Sequence, residues 1–200
     1  MGNSHRGFES HALRMGRLVY SVITSLDGYV DDVEGGFGWA MPDEEVHSYV
    51  NDLMRPIGTH LYGRRLYGVM AGWQTLGSTP DESAVTRDFG ALWRGADKVV
   101  YSTTLAEVST PRTRLERTFD PDAVRALASA SERDLLIGGP GLASQALRAG
   151  LVDEIGVVVA PVVVGGGTGY LPGGLRLDLR LLEQRRFGNG FAALRYAVAG

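Results

Sequence analysis

The order of apolar segments predicts an α/β fold: a mostly parallel sheet with an antiparallel edge and helices packed against it. Three observations point there. Short β-branched runs alternate with segments of helical period along the chain. Two of those runs stop at glycine and pass straight into a helix, at Gly63 and at Gly138-Gly139-Pro140-Gly141. The last two runs are joined by Gly188-Asn189-Gly190, a strong hairpin signal.

Residues 18–24, LVYSVIT, form the first strand and end at the turn SLDG. A helix follows over 41–54, with Pro42 and the acids Asp43, Glu44 and Glu45 in its first turn, and Val46, Tyr49, Val50, Leu53 and Met54 on one face. Pro56 and Gly58 close it. Residues 59–63 make a short strand, and a helix begins near Arg64. Residues 71–83 read as loop, 84–96 as helix, 97–103 as a buried strand and 113–119 as a further strand. Asp120-Pro121-Asp122 caps a helix over 123–131. Leu135 to Ile137 supply the next strand, and LASQALRAG the helix after it. Residues 153–165 are a long apolar strand interrupted at Pro161, which has no N–H for the ladder. Residues 177–187 and 191–199 are the two strands of the closing hairpin.

Composition sets the limits. Two hundred residues with 44% hydrophobic and 22% charged side chains suit one globular domain. A net charge of −3 carries no electrostatic footprint for nucleic acid. The absence of cysteine excludes disulfides, thiolate metal sites and a cysteine nucleophile. No apolar stretch is long enough to span a bilayer, so no membrane partner is expected and the expected location is cytoplasmic. Residues 1–14 are polar and aperiodic and read as a flexible leader ahead of a domain over 15–200; His5 and His11 in it have no fixed geometry for a metal. No His and carboxylate pattern has metal spacing elsewhere, and no metal is expected.

The glycine turn at 138–141 carries the first functional signal. A strand that ends in glycine and opens a helix aims free N–H groups and a helix dipole at one point, which suits a phosphate. A tight connection with no ligand is the equal alternative. The turn is not a Rossmann fingerprint, because Ser144 stands where the last glycine belongs and no acid follows on the next strand. It is not a Walker loop either, lacking Gly-Lys-Ser/Thr. At Gly63, Arg64 and Arg65 open a helix, where two cations oppose the dipole unless an anion sits between them; a solvated pair is the alternative. Ser102, Thr103 and Thr104 end another strand with hydroxyls.

SLDG, GRRLY, YSTT, GGPGLASQAL, LVDEIGVVVAPVVVGGG and NGFAALRY stand in the order found in dihydrofolate-reductase-like proteins. From Leu18 to Val198 the chain most resembles the reductase domain of riboflavin biosynthesis, the C-terminal half of a bifunctional deaminase-reductase, and its stand-alone relatives. The resemblance implies a three-layer dihydrofolate-reductase-like fold, with NADPH lying across the strand ends. It places Gly63, Arg64 and Arg65 at the cofactor phosphates, with Arg64 on the 2′-phosphate. Ser102 and Thr103 fall beside the adenosine ribose, and Gly138, Gly139, Pro140, Gly141 and Leu142 around the pyrophosphate. A cis peptide between Gly138 and Gly139 is implied as well. Two positions depart from the family pattern: Leu66 replaces a threonine, and Thr103 stands where the dihydrofolate reductases have an arginine. NADH is therefore not excluded.

The segment WAMPDEE resembles the part of dihydrofolate reductases that holds the pterin carboxylate, and aligns that acid with Glu44. Trp39 is the tryptophan best placed to stack on the substrate. Asp27 is a second candidate acid, in a turn that borders the nicotinamide in the family. An acid at a helix start and an Asp before Gly also have plain structural uses. His47 either lines the pocket or lies at the surface, and His60 reads as a core histidine with a satisfied ring. The implied function is hydride transfer to a nitrogen heterocycle, most like 5-amino-6-(5-phosphoribosylamino)uracil reduction, in a homodimer. Dihydrofolate reduction, a non-catalytic nucleotide-binding relative and a flavin-binding reductase are the alternatives.

Overall fold

The computed structural model describes residues 16–199; the leader expected over 1–14, with His5 and His11, lies outside the described residues. The elements run β1 (Leu18–Thr24), α1 (Glu44–Met54), β2 (Ile57–Gly63), α2 (Arg64–Met70), α3 (Ala84–Gly95), β3 (Asp97–Tyr101), β4 (Thr113–Glu116), α4 (Pro121–Ser129), β5 (Asp134–Gly138), α5 (Pro140–Arg148), β6 (Glu154–Val159), β7 (Leu179–Arg186) and β8 (Ala192–Val198). One eight-stranded sheet has the order β4-β3-β2-β5-β1-β6-β8-β7. All pairs from β4 to β6 are parallel, and β8 lies antiparallel to both β6 and β7.

Strand side chains alternate between faces, and the sequence fills both. Tyr20, Leu61, Val99, Leu135, Ile137 and Ile155 pack with Val124 of α4 and Leu142, Ala143, Ala146 and Leu147 of α5. On the opposite face Met54 of α1 and Phe89 and Trp93 of α3 meet Ile57 and Leu136. Every residue of β5 is buried, as befits a central parallel strand. Each buried Leu or Ile there contributes about 1.5–3 kcal/mol.

Local chemistry accounts for the boundaries. The Asp43 side chain accepts from the Val46 N–H at 3.0 Å, so α1 starts at Glu44, three residues later than its apolar period suggests. Asp120 caps α4 as expected, with Pro121 in the first turn. The apolar run over 153–165 yields a strand only to Val159. Beyond it the Val162 N–H turns back to the Ala160 carbonyl at 2.8 Å, around Pro161. β4 covers four residues of the seven expected. Arg117 then leaves the strand line and donates to the carbonyls of Ser102 and Leu105 at 3.2 and 2.6 Å. In the segment read as loop, Ala71–Gln74 wind as a 3-10 turn, and the Glu82 carboxylate accepts from the Gly77 and Thr79 N–H groups. The Gly138–Gly139 bond, expected cis, is trans. The turn is made instead by Gly139 at φ 89°, a conformation that side chains resist.

Candidate functional site

The chain leaves β2 toward β3 and β4, and leaves β5 in the other direction, toward β6. β2 and β5 are neighbours, so their carboxyl ends meet at the switch point whose crevice binds ligands in open α/β sheets. Gly63 closes β2 and caps α2, and Gly139 caps α5 directly after β5. Two of the three glycines at 138–141 are required by the fold. A Cβ on Gly138 would lie 2.5 Å from Leu66 Cδ2 and 3.3 Å from the Tyr62 ring, and Gly139 has positive φ. Gly141 differs: nothing stands within 4 Å of the space its Cβ would take. The N–H groups of Leu142 and Ala143 return to the Gly139 carbonyl at 3.1 and 2.9 Å, and Pro140 has none to offer. Gly141 thus presents an open backbone at the start of α5.

Arg64 and Arg65 open α2 at the other lip of the crevice; both are exposed and make no ion pair or side-chain hydrogen bond among the described residues. Most arginines elsewhere in the chain are held: Arg17 by Asp134 and Glu154, Arg55 by Asp52 and Asp88, Arg195 by Glu154 and Glu183. Two unpaired cations beside an open helix start form a donor set that fits a dinucleotide's phosphates. One strand over, the buried Ser102 Oγ accepts from the Thr104 and Leu105 N–H groups at 3.2 and 2.9 Å and so shapes the turn after β3. Thr103 is exposed beside it.

Toward β1 and β6 the edge is closed by two loops, 25–43 and 160–178, bonded to each other. The Leu26 N–H donates to the Val162 carbonyl at 2.7 Å, Val30 to Thr168 at 2.9 Å and Tyr170 to Gly28 at 3.0 Å. Asp27 clamps the two together, accepting from the N–H groups of Val164 at 3.2 Å and Gly165 at 2.8 Å. The Ser25 hydroxyl, then those amides, hold its carboxyl below the ordinary carboxylate range. A proton donor at neutral pH needs the opposite shift, so the geometry makes Asp27 an ionised clamp.

Trp39 lies in the 3-10 turn Gly38–Ala40 and packs against the cluster of Val46, Tyr49, Val158 and Phe187; its indole Nε1 is buried without a partner. Glu44 is exposed at the first position of α1 with no partner among the described residues. Its neighbour Glu45 is occupied, accepting from the Gly188 N–H at 3.1 Å and pairing with Arg185 at 3.6 Å. His47 turns away into the contact of α1 with Trp73 and Phe89, where burial lowers its pKa. His60 is in the core as expected, but its Nδ1 has no partner, and burial pushes its pKa down to about 3.

The fold therefore gathers Gly63, Arg64, Arg65 and Gly138 to Leu142 at one crevice, with Ser102 and Thr103 next to it. Trp39, Glu44 and Asp27 lie further along the same carboxyl edge, toward β1. Sequence reasoning missed Leu66 as the side chain lying over Gly138, and missed Arg117 as the brace behind Ser102. Contacts between segments so far apart in the chain leave no local pattern to read. A cavity of about 90 Å³ sits at the other end of the strands, lined in part by Arg17, Asp134, Glu154 and Arg195. Its charges satisfy one another at 2.6–2.9 Å, which marks a structural ion network. Among the described residues no group of three or more His, Asp or Glu could hold a metal ion, and no helix is long and apolar enough to cross a membrane.

Comparisons with known proteins agree with this architecture. The chain is 23% identical over 185 residues to the uncharacterized protein YyaP of Bacillus subtilis (strain 168), covering 92% of this chain and 96% of that one. A Shewanella sp. PV-4 structure named for riboflavin biosynthesis superposes with a TM-score of 0.72 at 19% identity, covering 92% and 99% of the two chains. The Thermotoga maritima diaminohydroxyphosphoribosylaminopyrimidine deaminase/5-amino-6-(5-phosphoribosylamino)uracil reductase gives a TM-score of 0.62 at 14% identity. There the match covers 92% of this chain and 57% of the bifunctional protein. The family model for the RibD C-terminal domain matches residues 17–193, so the chain belongs to the RibD C-terminal domain family.

Proposed function

We propose that this protein is an NADPH-dependent reductase that directs a hydride to a substrate bearing a planar nitrogen heterocycle, in a reaction most like 5-amino-6-(5-phosphoribosylamino)uracil reduction. One observation carries the reading: unpaired Arg64 and Arg65 open the helix after β2, and the open Gly141 lies at the start of the helix after the neighbouring strand β5. When bound there, NADPH would supply the hydride for a C=N or C=O carbon, and the heteroatom would take its proton from a carboxylic acid or an ordered water. Arg64 takes the 2′-phosphate, with Arg65 beside it. Gly63 and the backbone from Gly138 to Leu142 hold the pyrophosphate. Ser102 fixes the turn that presents Thr103 to the adenosine ribose. Trp39 supplies the flat apolar surface for the substrate ring. Glu44, free of internal partners, accepts from the ring's donor edge by two hydrogen bonds and orients it. Asp27 keeps loops 25–43 and 160–178 closed, which excludes water from the reacting face.

A small-molecule substrate, a cytoplasmic location and a homodimer belong to the same proposal. Leu179, Leu181 and Leu182 lie exposed on edge strand β7, in keeping with a partner subunit there. Leu66 over Gly138 and Thr103 in place of an arginine favour a second reading, a nucleotide-binding relative without turnover. Tryptophan quenching on titration with NADPH, followed by loss of reduced-nicotinamide absorbance with pterins and aminopyrimidines, separates the two. Binding with substrate-dependent oxidation supports the reductase. Binding without oxidation across both ring classes supports the second reading, and no binding removes both.

A further inference from the structure

The wall around the carboxyl ends of β1 and β6 has an unusual charge. From Leu18 to Val46 and from Ala149 to Leu175 there is no Lys, Arg or His. Residues 25–45 carry seven carboxylates. Five accept backbone N–H bonds, as Asp27 does from loop 160–178, and are thereby fixed in place. Glu34 and Glu44 are exposed and have no partner among the described residues. Beside these acids the wall shows apolar side chains to solvent: Leu26, Val33, Met41 and Val163 are each more than 60% exposed, and Phe37 is 44% exposed. They sit on welded loops, not on a mobile segment, since Leu26 is bonded to Val162 and Asp27 to Val164 and Gly165.

The free cations lie elsewhere along the edge. Arg64 and Arg65 stand at the β2 end, and the proposed cofactor uses them. At the far side Arg185 is held by Glu45, and Arg186 ends the edge strand β7. A phosphate ester entering between these points meets several fixed negative charges and, within 18–46 and 149–175, no counter-charge, an arrangement that rejects it. A flat ring with no net negative charge loses nothing there and gains apolar contact.

We propose that this site selects a phosphate-free nitrogen heterocycle, neutral or protonated, and discriminates against the phosphorylated form of the same ring. This rests on the reductase reading for where the substrate lies, and it narrows that reading to the non-phosphorylated members of the substrate class. Isothermal titration with a ribosylaminopyrimidine and its 5′-phosphate, with and without NADPH, tests it. The phosphate-free probe is expected to bind at least about tenfold more tightly, with the gap shrinking at 0.5 M salt because exposed charges are then screened over about 4–5 Å. Val163→Arg, at an exposed position that no packing requires, is expected to reduce the gap to about threefold or less. Equal or tighter binding of the phosphate ester to the unaltered protein would overturn the inference, as would a gap that neither salt nor V163R changes. If neither probe binds while NADPH does, the wall receives no such ring and the inference fails with the cofactor reading intact. Failure of NADPH alone to bind strikes the cofactor reading, and the probe pair without NADPH still decides the selectivity.

Discussion

Gly138→Ala measures how much of the glycine turn is structural. The added Cβ would stand 2.5 Å from Leu66 Cδ2, closer than carbon atoms tolerate, and 3.3 Å from the Tyr62 ring, tighter than most such contacts. Tyr62 is 1% exposed and cannot retreat. Leu66 is only half-buried, and its methyl can swing away at the loss of its packing. Overpacking of this kind costs about 1–3 kcal/mol. Leu66→Ala alone removes a partly buried side chain at a cost of about 1–2 kcal/mol. In the double variant the shortened side chain leaves room for the new Cβ, so the two costs should not add. The expected coupling is about 1 kcal/mol or more in favour of the pair. Urea unfolding of the four proteins with a constant m-value gives the cycle directly. Strict additivity would refute the contact between Leu66 and Gly138 as the reason for glycine there.

Gly139→Ala forces a side chain to φ 89° and should destabilise by about 1–3 kcal/mol, whereas Gly141→Ala, with open space at its Cβ, should leave the urea midpoint nearly unchanged and weaken only NADPH binding. Asp27 has a depressed carboxyl pKa, so the stability it supplies is present above the unfolded pKa near 4 and is lost as pH falls through the folded value; Asp27→Asn should flatten that acid limb in a series of melting curves. His60 stays neutral down to about pH 3 in the fold, while the unfolded chain takes up the proton near pH 6.5. Stability should therefore rise with pH between those limits, and His60→Gln should remove up to one proton from that slope in a Tm–pH series.

The fold was legible because its signals are local. The β-branched and aromatic run LVYSVIT, the Asp120-Pro121 cap and the Gly188-Asn189-Gly190 turn act within a few residues, and each produced the element it predicts. The glycine turn was legible as a strand-to-helix junction. Its division into two packing glycines and one open one was not, because Leu66 reaches Gly138 from the helix after the neighbouring strand β2. The trans Gly138–Gly139 bond corrects an expectation carried over by resemblance and not read from the residues themselves. Asp27 shows the same limit. An Asp before Gly reads as a turn former or an acid, and only its bonds to Val164 and Gly165, 137 and 138 residues away, reveal a clamp. His60 was placed in the core correctly, yet the missing partner of its Nδ1 depends on the packing around a ring that stacks on Tyr62.

The most direct test of the account is a pair of affinities, NADPH and NADH, for the unaltered protein and for Arg64→Ala. Loss of one charge-assisted hydrogen bond is worth about 1.5–3 kcal/mol, or roughly 10- to 150-fold. The account predicts that R64A weakens NADPH binding by at least the lower figure and NADH binding much less, since NADH lacks the 2′-phosphate. Equal losses for both dinucleotides, or an unchanged NADPH affinity, would contradict the assignment of the unpaired arginine at the β2/β5 crevice.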